Sequence, residues 1–126
     1  MQFSTKAEYG LRASIVLAKA YPKLRSISEV SREENISHKY LEQIFSVLKK
    51  ASLLVSYKGK SGGYKLSQTP SKISVLEIVE ALEGDLAPMK CHSPACKNEK
   101  CASKKVWIKL GKEIKKTLRN IKLSQL

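Results

Sequence analysis

The sequence predicts a mainly α-helical chain that carries one small β-hairpin and ends in a long helix. Three observations predict it. Ser and Thr residues with capping potential stand ahead of apolar residues spaced three and four apart. Gly59, Gly62 and Gly63 cluster between two short strand-like runs. A single apolar stripe then recurs along a lysine-rich C-terminal segment.

The first helix is predicted to open at Thr5, with Glu8 three residues on completing a capping box, and Leu11, Ile15 and Ala18 continue its apolar spacing as far as Pro22. After a turn around "YPKLR", Ser28 is placed to cap a short helix through Glu34. "NIS" at 35–37 makes a tight turn, and Ser37 caps a longer helix to about Lys50. In this second helix Leu41, Ile44, Phe45 and Leu48 form an apolar stripe, which leaves His38, Lys39, Glu42, Gln43, Ser46 and Lys49 on the other side. Residues 53–57 and 64–66 then form a hairpin with Lys58 and Lys60 at its tip, flanked by Tyr57 and Lys65. Ser74 and Glu77 make another capping box, for a helix that ends at Gly84. Trp107, Leu110, Ile114, Leu118 and Ile121 line one narrow stripe on the last helix, a pattern that calls for a partner helix.

A helix-turn-helix followed by a basic, glycine-rich hairpin is a winged helix-turn-helix, and each part has a physical task on DNA. The second helix fits the major groove, where its N-terminal residues meet base edges. Gln43 suits adenine, Lys39 a guanine or a phosphate, and Glu42 a cytosine amine; His38 lies beside them. Lys58, Lys60 and Tyr57 of the wing are placed to follow the backbone or enter the adjacent minor groove.

Composition agrees with a polyanionic partner. The 126 residues carry a formal charge of +13, and each phosphate neutralised by Lys or Arg releases counterions. The charge is uneven: residues 1–88 hold 13 Lys+Arg against 9 Asp+Glu, and the remainder 11 against 2. That break near Pro88 divides the chain into a winged DNA-binding domain, residues 1–84, and a cysteine loop with a terminal helix, residues 85–126. No apolar run approaches the roughly 20 residues that span a bilayer, and the N-terminus lacks a secretion signal, so the expected location is the cytoplasm, with no membrane partner. In that reducing compartment a cysteine cluster points to a metal, a cluster or redox chemistry rather than to disulfides.

All three cysteines, Cys91, Cys96 and Cys101, fall in "KCHSPACKNEKC" at one repeated spacing. Thiolates bind iron-sulfur clusters and zinc, and either wants about four ligands. The four-residue gaps let the sulfurs converge on a cluster, and the two-residue gaps usual in zinc knuckles are absent. His92 is a further donor type in the loop, but its adjacency to Cys91 makes joint ligation awkward.

"STKAEYGLRASIVLA", "ISHKYLEQIFSVLKKASLLVSYKGKSGGYKLS" and "ISVLEIVEALEG", ahead of the cysteine loop and a helix bearing Trp107, resemble the Rrf-two family of bacterial winged-helix regulators over nearly the whole chain. That family includes iron-sulfur, nitric-oxide and cysteine-metabolism regulators. The resemblance implies a homodimer joined through the terminal helix, with two recognition helices on a near-palindromic double-stranded operator. It also implies that the three cysteines hold an iron-sulfur cluster, either 2Fe-2S or 4Fe-4S. Some cluster-binding members place a histidine three residues after the last cysteine, where this chain has Lys104. Others recruit a carboxylate from the first helix of the other subunit, and the matching position here is Glu8. A weak fourth ligand leaves one iron exposed, which suits a sensor of redox state, nitric oxide or cluster supply.

Two alternatives share the fold: a cluster-free thiol or sulfur-metabolism regulator, and a DNA-binding protein with a structural zinc site. An enzyme is not expected. The chain has no Cys-x-x-Cys pair, no phosphate loop and no convergent acid-base set.

Overall fold

The computed structural model describes residues 2–88 and 102–126. In chain order the elements are α1 (Thr5–Ala20), α2 (Ile27–Glu34), α3 (His38–Lys50), β1 (Leu54–Tyr57), β2 (Gly63–Leu66), α4 (Val75–Glu83) and α5 (Ala102–Arg119), with single 3-10 turns at Pro70–Lys72 and Leu123–Gln125. The helical, single-hairpin architecture matches the sequence-based expectation.

The caps show where local sequence was read well and where it was not. The Ser37 hydroxyl accepts from the Tyr40 amide at 3.1 Å and starts α3 at His38. The Ser74–Glu77 box forms in both directions. For α2 the cap is Ser26 rather than Ser28: Ser26 and Glu29 satisfy each other's amides, so the helix starts two residues earlier than anticipated. For α1 the expected Thr5–Glu8 box does not form. The chain enters the helix one residue earlier, the Ser4 hydroxyl accepts from the Ala7 amide at 3.1 Å, and the Ser4 amide donates to Glu83 Oε1 of α4 at 2.7 Å. A carboxylate distant in sequence thus fills the place that a local box glutamate would take. Hydrogen bonding to Ser4, hydroxyl first and amide second, holds Glu83 below the usual carboxylate range.

The core lies between α1 and the layer formed by α3, α4 and the hairpin. Leu41, Ile44, Phe45 and Leu48 are fully buried, as the stripe predicts. On α1 the deepest positions are Ala13, Ser14 and Leu17, whereas Leu11, Ile15 and Ala18 are half-buried around the same core. Small residues on that face let other elements approach. At Gly10 an added Cβ would collide with Leu82 Cδ1 of α4, so the helix interior accepts a glycine, roughly 1 kcal/mol worse than alanine in propensity, for the sake of packing.

The hairpin pairs Leu54 with Leu66 through Tyr57 with Gly63 in antiparallel register. A short bridge extends it. Arg25, between α1 and α2, exchanges backbone hydrogen bonds with Tyr64 at 2.9 and 2.7 Å. Gly63, at φ +150°, lies so near the Arg25 carbonyl that a side chain there would meet it at 2.7 Å.

The C-terminal stripe divides. Leu110 is exposed at 40%, as is Val106, outside the predicted stripe, at 58%. Leu118 and Ile121, expected at a dimer seam, are partly buried against the core of their own chain. The reason is that α5 stops at Arg119 and the chain folds back: the Val75 amide donates to the Ile121 carbonyl at 2.8 Å, the Leu123 amide to the Ile73 carbonyl at 3.0 Å, and Leu123 enters the core.

Candidate nucleic-acid interface and cluster site

The buried stripe of α3 dictates its outer face. Because Leu41, Ile44, Phe45 and Leu48 are held inside, His38, Lys39, Glu42, Gln43, Ser46 and Lys49 are all exposed. The first turn is fixed by the Ser37 cap and by Tyr40, whose ring meets Tyr9 of α1 edge-on at 5.7 Å. Tyr9 also lies under the Arg12 guanidinium at 5.2 Å. Arg12 in turn donates to the Glu34 carboxylate at 3.2 Å and to the Glu34 carbonyl at 2.6 Å, at the end of α2.

The turn between α2 and α3 is built by Asn35 in the left-handed region, φ 55°, and by the Ser31 hydroxyl, which donates to the Ile36 carbonyl at 2.6 Å while the Ile36 side chain is buried. This support of α3 by Tyr9 and Arg12 escaped sequence reasoning. An amphipathic pattern shows which face of a helix is apolar, but not which polar residues of a neighbouring helix brace it.

The wing is fixed to the recognition helix at two levels. Phe45 packs against the Tyr64 ring of β2 at 4.8 Å, and Lys49 Nζ donates to Ser56 Oγ of β1 at 2.6 Å. Tyr57 is 54% exposed, with Lys65 Nζ 5.6 Å from its ring centre. Lys58 and Lys60 are exposed at the tip, as expected, with no side-chain partner among the described residues. Lys39 and Gln43 are equally unengaged. His38 and Glu42 are paired with each other, Nδ1 to Oε1 at 3.1 Å. Arg25 donates to Glu33 at 2.6 Å and to Glu29 at 3.1 Å, and its hydrogen bond to Glu33 leads the causes that raise its already high pKa.

The second candidate site concerns the donors for a metal or cluster. Cys91, Cys96, Cys101 and His92 lie outside the described residues. Glu8 is exposed on α1 and is relieved of the capping role the sequence suggested; its amide donates to the Ser4 carbonyl at 3.1 Å, but its carboxylate has no hydrogen bond or ion pair among the described residues. It stands at the rim of an apolar groove of about 320 Å³ formed with Phe3, Ala7, Leu11, Val75, Val79 and Leu118. A neighbouring recess of about 260 Å³ shares Phe3 and Leu118 and adds Glu113, Ile114 and Thr117. Among the described residues no three His, Cys, Asp or Glu side chains gather closely enough to hold a metal. Lys104 is half-buried at the start of α5. The donor chemistry of three thiols and an unengaged carboxylate fits an iron-sulfur cluster.

Comparison with known proteins agrees with this geometry. Residues 3–126 match the Rrf2 family, described as an iron-dependent transcriptional regulator. The chain is similar to the HTH-type transcriptional regulator CymR of Bacillus subtilis, at 34% identity over 127 residues that cover 100% of this chain and 89% of that protein. It is also similar to IscR of Vibrio atlanticus, at 33% identity over 129 residues, 100% of this chain and 75% of IscR. Among solved structures, CymR of B. subtilis, the global cysteine regulator, superposes with a TM-score of 0.86 at 33% identity over 98% of this chain and 94% of its own. IscR of T. potens superposes with a TM-score of 0.82 at 34% identity over 98% of this chain and 84% of its own. These relatives are transcriptional regulators, not enzymes, and no helix among the described residues is long and apolar enough to cross a membrane. A winged helix-turn-helix with exposed lysines at its wing tip, matched over nearly the full length of the chain by regulators of one family, places this chain in the Rrf2 family of transcriptional regulators.

Proposed function

We propose that the protein is a homodimeric, cytoplasmic DNA-binding regulator that senses redox state, nitric oxide or cluster supply through an iron-sulfur cluster. Cys91, Cys96 and Cys101 supply three ligands, and Glu8 of the partner subunit supplies the fourth. The observation that carries this reading is the state of the Glu8 carboxylate: exposed, without a partner among the described residues and excluded from the cap that would otherwise explain it. The family's description as iron-dependent supports it. The exposed Val106 and Leu110 of α5, together with the apolar groove beside Glu8, support a second copy as partner.

His38, Lys39, Glu42 and Gln43 face the major groove, and Lys58, Lys60 and Tyr57 contact the backbone beside it. Two such heads related by a dimer axis read a near-palindromic operator. The cluster, when bound, supplies redox chemistry and an iron that reacts with small molecules. The chain's own part is to hold it across two subunits, so that loading biases the relation between the two recognition helices.

Anaerobic reconstitution with iron and sulfide tests the reading. Wild type is expected to turn brown, with visible charge-transfer absorption, and Glu8→Ala to lose its cluster faster than wild type. A colourless, iron-free wild-type product rejects the cluster, and an unchanged lifetime in Glu8→Ala rejects that ligand. The likeness to the global cysteine regulator CymR favours a second reading, a cluster-free thiol or sulfur-metabolism regulator. Reversible cysteine oxidation under mild peroxide, read by mass spectrometry on the colourless protein, would support it.

A further inference from the structure

Helix α5 is the most cationic element of the chain, with Lys or Arg at seven positions and a single carboxylate, Glu113. At about 100° per residue its surface divides into three faces. Gly111 is buried and Trp107, Ile108, Ile114 and Leu118 are half-buried, so one face is turned to the rest of the chain. A second face exposes Val106, Leu110 and Thr117, with Glu113 as its only charge. The third holds Lys105, Lys109, Lys112, Lys116 and Arg119, all exposed, at successive spacings of four, three, four and three. These five fall within an arc of about 80° and run for about 21 Å along the helix. None has a side-chain partner among the described residues, although Glu113 stands one turn from Lys109 and from Lys116. The chain leaves this charge unneutralised.

We propose that this stripe binds the phosphate backbone of duplex DNA at a surface separate from the reading face, taking either the flank of the operator or a second duplex. The proposal rests on the reading of the head as a DNA-binding module and is independent of the cluster. Helix α5 packs against α4, and α4 packs against α3, so α4 lies between the stripe's helix and the recognition helix. A second copy of the chain does not suit the stripe, because a two-fold seam sets the same patch against itself and would oppose five cations with five. The face of Val106 and Leu110 suits that role instead. A protein partner is disfavoured, since protein interfaces centre on apolar and aromatic side chains and are poor in lysine, whereas this arc is four lysines and an arginine. A membrane would need a free apolar face to insert, but Ile108 beside the stripe is turned to its own chain. Phosphates need only the row of cations, whose counterions are released on contact. Those of one strand advance about 3.4 Å along the duplex axis, so about six lie along the stripe's length. With the head already on DNA, contact with a flank is intramolecular and needs little affinity of its own.

The test compares wild type with a variant combining Lys105→Gln, Lys109→Gln, Lys112→Gln and Lys116→Gln, on a short duplex carrying only the motif that wild type enriches from a randomised library. The same motif with flanks of about 20 base pairs on each side forms a second arm. Capture of a labelled, motif-free duplex by protein already seated on an immobilised motif forms a third. Wild type is expected to gain affinity from the flanks if they are the ligand, or to capture the free duplex if a second duplex is. The glutamine variant loses that gain, lowers the slope of log affinity against log salt for that contact by about 3 to 4, and binds the short duplex as wild type does. Arginine at the same four positions keeps the gain and the slope. The proposal is overturned if wild type shows no gain in either arm, or if the glutamine variant retains it. Equal weakening on the short duplex also overturns it, by placing the stripe in the operator contact. Binding to phosphatidylserine vesicles that the glutamine variant loses, with its DNA binding unchanged, overturns it in favour of a membrane. If wild type binds none of the duplexes, DNA binding by the head fails and the proposal falls with it. That outcome is seen in the wild-type arm alone, so the two failures are distinguishable.

Discussion

The reading face and the groove around Glu8 organise their polar residues in contrasting ways. On the reading face a short segment supplies nearly everything: one apolar stripe of α3 is buried, the opposite face is exposed as a consequence, and the wing follows directly in sequence. Around Glu8 the side chains come from α1, α4 and α5, separated widely along the chain, and its expected co-ligands come from a loop elsewhere in sequence. A surface that contacts DNA needs a rigid local scaffold. A sensor that reports subunit geometry needs groups that only assembly brings together.

If that contrast is right, damage to the scaffold costs the most. Phe45→Ala removes a fully buried ring from between α3 and β2 and should destabilise the fold by about 3–5 kcal/mol in denaturant titrations. A loss under about 1 kcal/mol would mean that the head is held by something other than this core. Gly10→Val, which forces a branched side chain against Leu82, should cost about 1–3 kcal/mol by overpacking. Lys58→Ala with Lys60→Ala should leave stability within about 0.5 kcal/mol. The same pair should weaken binding to all duplexes and reduce the slope of log affinity against log salt by about 2. An unchanged slope removes the wing tip from the interface.

The smallest expected effect concerns acid. Hydrogen bonds from Ser4 to Glu83 and from Ser26 to Glu29 lower both carboxyls below their ordinary range, the backbone bond leading at Glu29. A depressed folded-state value means that stability is present above the unfolded carboxylate range and lost as pH falls through the folded one. Glu83→Gln should therefore flatten the acid limb of thermal stability slightly, since the group is solvent-screened. A steeper limb would contradict the cap.

The reading face was largely legible in sequence. Burial of Leu41, Ile44, Phe45 and Leu48 follows from helical periodicity, and the Ser37 and Ser74 caps follow from local chemistry. What escaped was long-range. Ser4 caps α1 with help from Glu83 of α4, Arg25 pairs with Tyr64, and Leu123 returns to the core, each a contact between segments far apart that no window reveals. The stripe on the last helix was also read as one surface, although Leu118 and Ile121 pack in part against the core of their own chain and Leu110 is exposed. Periodicity reports an apolar face without reporting what covers it.

The central claim is that a cluster bound by the cysteine loop and Glu8 changes how the two heads meet DNA. Its most direct test is the affinity of cluster-loaded and cluster-free wild type for a duplex that wild type enriches from a randomised library, measured anaerobically by fluorescence anisotropy at one salt concentration. The account predicts that the two affinities differ by about fivefold or more, the usual range for coupled sites. Equal affinities, with the cluster intact throughout the titration, would contradict it.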